Sequence, residues 1–146
     1  PNLPGAVGLA AALGLVLADL AREGERQAGL RDRLEDAVTS VLDGVSVNGA
    51  GADRLPNTSS LGFAGVDGPA LLASLPDLAV SSGSACTSSS PEPSGVLQAM
   101  GVPRALAEAS LRFSIGRPTT AEEVDRAAQR VAEEVTRLRQ TTRRRR

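Results

Sequence analysis

The sequence predicts an α/β fold in which a small, mostly antiparallel sheet is covered by helices. Stretches at either end of the chain repeat apolar residues at helical spacing, and between them lie short runs with the alternation of half-buried strands. Glycine, proline and asparagine separate these runs, as turns require. At 146 residues the chain is one domain able to bury a real core. That core must be aliphatic, because Phe63 and Phe113 are the only aromatic residues.

A first helix is expected from about Pro4 to Arg22, apolar on nearly every side and therefore buried between two bodies. Its Ala/Leu/Val/Gly run resembles the apolar part of a signal peptide. No basic residue precedes that run, however, and Asp19 and Arg22 close it short of a membrane span. A soluble chain is the expectation. A second helix covers roughly Glu25 to Leu42, with Leu30, Leu34, Ala37/Val38 and Val41 on one stripe and Gly44 after its end. Val45–Val47 reads as a short strand and Thr58–Ala64 as another, with Leu61 and Phe63 on one face. Asp67 caps a helix through Leu75 that has Pro69 in its first turn. Leu78–Val80 reads as a brief strand. Ser94 to Met100 forms a short helix ending at Gly101, and Pro103 opens another. In the strand Ser110 to Ile115, Leu111, Phe113 and Ile115 face one way and Arg112 and Ser114 the other. Thr120 and Glu123 form a capping box for the last helix, whose stripe is Val124, Ala128, Val131, Val135 and Leu138. The tail Arg143 to Arg146 is expected to be disordered by its own repulsion.

The net charge of −1 gives no global pull toward nucleic acid or acidic lipid. The chain's single cysteine, Cys86, excludes an internal disulfide framework and suits a reducing compartment. It lies in the run Ser81 to Ser90, where small and hydroxylated residues predict a solvated loop rather than core. All 16 basic residues are arginine, so the chain has neither lysine nor histidine. It offers a thiol nucleophile with no ordinary general base beside it, which argues against a Cys–His hydrolase or a Cys/His metal site. Arg112, opposite the apolar face of its strand, is the second candidate, since a guanidinium grips a carboxylate through two parallel hydrogen bonds; an isolated strand arginine by itself more commonly forms a surface salt bridge. The glycine turns at 44–51 and 62–65 lack the spacing of a phosphate cradle and read as structural.

The segments Leu75–Ser88, Glu92–Ser94 and Ser110–Arg117, with Pro56–Thr58, resemble the C-terminal part of the cysteine desulfurases with a long cysteine loop. The opening Pro1–Leu13 is similar to the helix that follows the family's phosphate-binding turn. The resemblance spans roughly residues 1–140. It implies the small C-terminal domain of the type I pyridoxal phosphate-dependent transferase fold, with the large domain missing. The expected activity takes sulfur from L-cysteine as a persulfide on Cys86, releases alanine, and serves iron–sulfur cluster assembly or related sulfur transfer. Arg112 matches the residue that holds the substrate carboxylate.

The implied partners are L-cysteine, the missing large domain, a sulfur-acceptor protein and a second copy in a cytoplasmic homodimer. The family's Schiff-base lysine is absent from this sequence, so the chain alone should not desulfurate cysteine. The expected division is a connecting helix at 1–24, the small domain at 25–140 and an arginine tail at 141–146. Two other readings remain open on the same residues: a stand-alone persulfide carrier or dimerisation remnant, and a redox-sensing thiol at Cys86.

Overall fold

A computed structural model describes residues 2–82 and 93–144. The helix at its start, α1, is a single rod from Leu3 to Val41, where the sequence predicts two helices parted near Gly24. Gly24 costs such a helix only about 1 kcal/mol relative to alanine. Ion pairs one turn apart bracket the glycine, Asp19 with Arg22 at 2.7 Å and Glu23 with Arg26 at 2.8 Å. Arg26 also donates to the carbonyls of Gly116, Arg117 and Thr119, tying the middle of the rod to the loop before the last helix.

The two halves of α1 meet different surroundings. In the C-terminal half, Leu34 and Val38 are buried in the core. Val41, expected on that stripe, is exposed, and Leu42 turns inward in its place as the backbone leaves the helix in an extended conformation. The N-terminal half leaves Leu9, Leu13, Leu15 and Leu17 exposed, so the expected burial is not met among the described residues. An 18-residue window in α1 has a mean hydropathy of 1.9 and none of it is buried. By length and composition alone it could cross a membrane, where the charges at Asp19 and Arg22 led to the opposite expectation.

Three antiparallel strands follow in spatial order β1 (Val45–Val47), β2 (Thr58–Phe63) and β3 (Ser110–Ser114). Val47 pairs with Leu61, and Leu61 pairs with Leu111. These residues, with Phe63 and Phe113, face the α1 C-terminal half and α5 (Ala121–Arg144) to form one aliphatic core. Val124, Ala128, Val131 and Val135 of α5 close that core as the stripe predicts. Thr120 and Glu123 exchange both hydrogen bonds of the capping box. The helix runs on through Arg144, past the expected start of the disordered tail, and Thr141 and Thr142 bond back to the carbonyls of Arg137 and Leu138.

Among the described residues three short helices remain: α2 (Gly68–Ala73), α3 (Gly95–Ala99) and α4 (Arg104–Glu108). Asp67 caps α2 by accepting from Ala70 N at 2.8 Å. The expected strand at Leu78–Val80 does not form. Turn bonds take up the Leu78 and Val80 N–H groups, and among the described residues the segment reaches the sheet only through Ser81, an isolated bridge to Arg112.

Gly68 abuts the backbone of Glu108 and Ala109, and a Cβ there would run into the Glu108 carbonyl oxygen. Gly68→Ala is therefore expected to destabilise the chain by about 1–3 kcal/mol, read as a lower urea midpoint with unchanged slope. Acid should act more broadly. Hydrogen bonds from Arg22, Arg26, Arg33 and Arg137 hold the carboxyls of Asp19, Glu23, Asp125 and Glu134 below their ordinary values. Carboxyls depressed in the folded state stabilise it above about pH 4.5, and that contribution is lost as pH falls through their native values. The urea midpoint should therefore hold above about pH 4.5 and fall as the pH is lowered below the ordinary carboxyl values.

Candidate active site

The sheet's second face carries the chemistry. Because side chains alternate along a strand, the register that sends Leu61 and Leu111 to the core sends Ser60, Ser110 and Arg112 to the opposite side. Gly62 lies on that same side with no side chain, and Leu106 of α4 covers it so closely that a Cβ would come within 3.0 Å. A pocket of about 250 Å³ opens beside this contact. Asn48, Ser60, Ser82, Ser94, Ser110 and Arg112 supply its polar lining, and Val96, Leu97 and Met100 its apolar wall.

Arg112, the predicted carboxylate clamp, is half-buried there. Its backbone is held on both sides. Ser60 is its register partner on β2, and on its other flank its N–H donates to the Ser81 carbonyl at 2.6 Å and its carbonyl accepts from Ser81 N at 3.2 Å. Cys86, the predicted nucleophile, falls outside the described residues. The flanks of its segment are described, however, and both Ser82 and Ser94 line the pocket. The chain that carries Cys86 thus leaves from and returns to the cavity that Arg112 lines. Leu111 and Phe113 hold the rest of β3 in the core, so Arg112 is presented from a fixed strand rather than from a loop.

Three pocket residues escape a reading by sequence alone. Asn48 belongs to a glycine-containing turn read as structural, and the turn does use Gly49 at a positive φ of 77°. Yet its backbone N–H extends the β1–β2 ladder by donating to the Ser60 carbonyl at 2.8 Å, and its side chain enters the pocket. Ser60 and Ser110 lie in strands where a serine is unremarkable. The strand alternation could have placed Ser60, Ser110 and Arg112 on faces, but only the register puts them together.

The long connection from Asn48 to β2 is pinned to α1 by Arg54, whose guanidinium donates to both carboxylate oxygens of Glu35 at 2.7 and 3.1 Å. The Glu35 hydrogen bond raises the already high Arg54 pKa further. The pair is mostly buried, with side-chain exposures of 19% and 11%. Arg54 Cδ and Met100 Cε both lie against Gly49, at 3.8 and 3.7 Å from the position a Cβ would take. The ion pair therefore steadies the turn that presents Asn48.

The sequence profile of the class-V aminotransferases matches residues 1–127. The chain belongs to the class-V aminotransferase family. Among members of that family, the chain is 48% identical over 139 residues to the cysteine desulfurase IscS of Anaeromyxobacter sp. strain Fw109-5, covering 95% of this chain and 34% of that protein. It is 48% identical over 134 residues to the IscS of Azotobacter vinelandii strain DJ, covering 92% and 33%. Among solved structures, a NifS-like protein superimposes with a TM-score of 0.77 at 27% identity, over 94% of this chain and 35% of that one. The chain spans about a third of the length of the curated relatives it matches. The mixed helix–sheet fold with a small antiparallel sheet, expected from sequence, is the fold of these family structures over that third.

Removing Glu35 would leave the Arg54 guanidinium mostly buried without its partner. Glu35→Ala is expected to cost about 2 kcal/mol of stability, less than a fully buried pair because part of each side chain still meets water. Thermal unfolding by circular dichroism checks this, and Glu35→Asp, which keeps the charge, should recover part of the loss.

Proposed function

We propose that this chain is the small C-terminal part of a pyridoxal phosphate-dependent cysteine desulfurase, acting once joined to a large domain that carries the cofactor. The observation that carries this reading is the pocket where Arg112 faces both ends of the Cys86 segment, in a chain 48% identical to proteins named cysteine desulfurase. The net reaction transfers the sulfur of L-cysteine to the Cys86 thiol, giving L-alanine and a Cys86 persulfide. The substrate's C–S bond breaks, a S–S bond forms, and the thiol hydrogens balance between the two products. The persulfide is then passed to an acceptor protein for iron–sulfur cluster assembly or another sulfur-transfer route.

Pyridoxal phosphate, implied by the family, would supply the electron sink for C–S cleavage. The residues present here do not fit its covalent anchor, because the sequence contains no lysine. The anchor therefore belongs to the large domain. What this chain's own residues do is bind and deliver. Arg112 takes the carboxylate of the amino acid through a two-bond fork that lysine cannot match. Cys86 lies four residues beyond Ser82, a reach of at most about 14 Å, which suits a thiol that meets substrate at the pocket and an acceptor outside it.

The exposed apolar half of α1 is read as the connecting helix, docked on the large domain in a homodimer. It lies within the residues that match the family, which favours a protein partner over lipid. The remaining small domain follows from Glu25. A thiol that must stay free suits a reducing compartment such as the cytoplasm.

In the complete enzyme, Cys86→Ser is expected to abolish sulfur delivery to an acceptor while leaving binding of L-cysteine largely intact, since a hydroxyl of similar size is a far weaker nucleophile. Arg112→Ala should act earlier, lowering affinity for L-cysteine by roughly thirty- to a thousandfold, with Arg112→Lys recovering only part. Titration with L-cysteine and an acceptor-sulfuration assay separate the two. Delivery by Cys86→Ser, or near-normal affinity in Arg112→Ala, would sink these assignments.

A further inference from the structure

A directed chain of hydrogen bonds runs across the pocket floor, and its direction can be deduced. The Ser110 hydroxyl donates to the Leu106 carbonyl at 2.8 Å, and a carbonyl can only accept. Having given its hydrogen away, Ser110 Oγ can only accept from Asn48, 3.1 Å distant, so Asn48 presents its amide nitrogen there. The second hydrogen of that nitrogen goes to Ser60 Oγ, also at 3.1 Å. Ser60 therefore accepts within the network and keeps its own hydrogen. Among the described residues none accepts it. Ser60 is also the direct cross-strand partner of Arg112, on the same face of the sheet, where paired side chains start about 5 Å apart. Both line the same cavity.

We propose that the Ser60 hydroxyl is a second donor to the carboxylate held by Arg112, with Asn48 as the positioning residue that fixes its direction. This rests on the reading of Arg112 as the carboxylate clamp. The network supplies a reason for each member. Ser110, almost fully buried, anchors the array to α4 through Leu106. Asn48 relays that anchoring to Ser60 through one nitrogen. An anion in the pocket then meets a guanidinium and a hydroxyl from adjacent strands, and an amino compound without a carboxylate meets a donor it cannot satisfy. Ser60 thus contributes to selectivity for an α-amino acid over the corresponding amine.

The test uses the complete enzyme, with L-alanine and ethylamine as probes whose binding is followed by cofactor absorbance, and L-cysteine turnover beside it. Ser60→Ala should weaken L-alanine about tenfold and raise the KM for L-cysteine similarly, with little change in kcat or in ethylamine binding. Ser60→Thr, which keeps the hydroxyl, should restore most of that affinity. Asn48→Ala should weaken L-alanine in the Ser60 enzyme and have no further effect once Ser60 is alanine. If Ser60→Ala binds L-alanine within about twofold of the parent while Arg112→Ala binds it far worse, Ser60 is no donor and the proposal falls with the role of Arg112 intact. If Arg112→Ala also binds normally, the carboxylate seat itself is misplaced and both readings fall. Equal losses for L-alanine and ethylamine on Ser60→Ala would overturn the proposal as well, by showing that the serine supports the pocket without reading the carboxylate.

Discussion

The pairing register of β2 with β3 is the constraint on which the rest depends. With a side-chain period of two, a slip of one residue would send Arg112 into the aliphatic core and Leu111 and Phe113 to the pocket face. Burial prevents this. Leu61, Phe63 and Leu111 are essentially inaccessible, and exchanging them for Ser60, Gly62 and Arg112 would expose the core and strand a charge inside it. The ladder is fixed beyond its ends as well, by Phe63 N to the Ala109 carbonyl and Ile115 N to the Asn57 carbonyl. The site is thus placed by the core behind it.

Arginine does the fastening around this sheet. Arg26 ties α1 to the loop at 116–119, and Arg31 reaches the Leu55 carbonyl. Arg139 gathers the carbonyls of Asp43, Gly44 and Ala64 at the end of β1 and β2. Arg26 and Arg139 each place a forked donor where a loop exposes several acceptors at once, a geometry that an ammonium serves less well. These contacts are individually modest at an exposed surface. Their distribution matters more, since they fix the connections that present the pocket while leaving the strand face open.

The first half of α1 stands apart from this economy. Its apolar side chains stay exposed, and among the described residues nothing buries them. In the proposed reading that surface belongs to the junction with the large domain, and the helix serves as a rigid arm between the cofactor's anchor and the Arg112 pocket. A continuous rod suits such an arm because a helix transmits position where a jointed pair would not.

The amino-acid sequence by itself determined the elements with strong local signals. The α5 stripe and its capping box, the Asp67 cap of α2 and the alternation of β3 are each set by neighbours within a turn or a strand, so they survive without tertiary information. Arg112 could be assigned to the polar side of its strand for the same reason. The tertiary structure alone decided that α1 continues through Gly24, because the contacts that hold it come from residues 116–119. It also decided that Val41 yields the core to Leu42 where the helix ends. Above all, it gathered Asn48, Ser60, Ser110 and Arg112 into one pocket. Those residues are separated by up to 64 positions in the chain, and their meeting depends on strand register, a property of paired segments that no single segment carries.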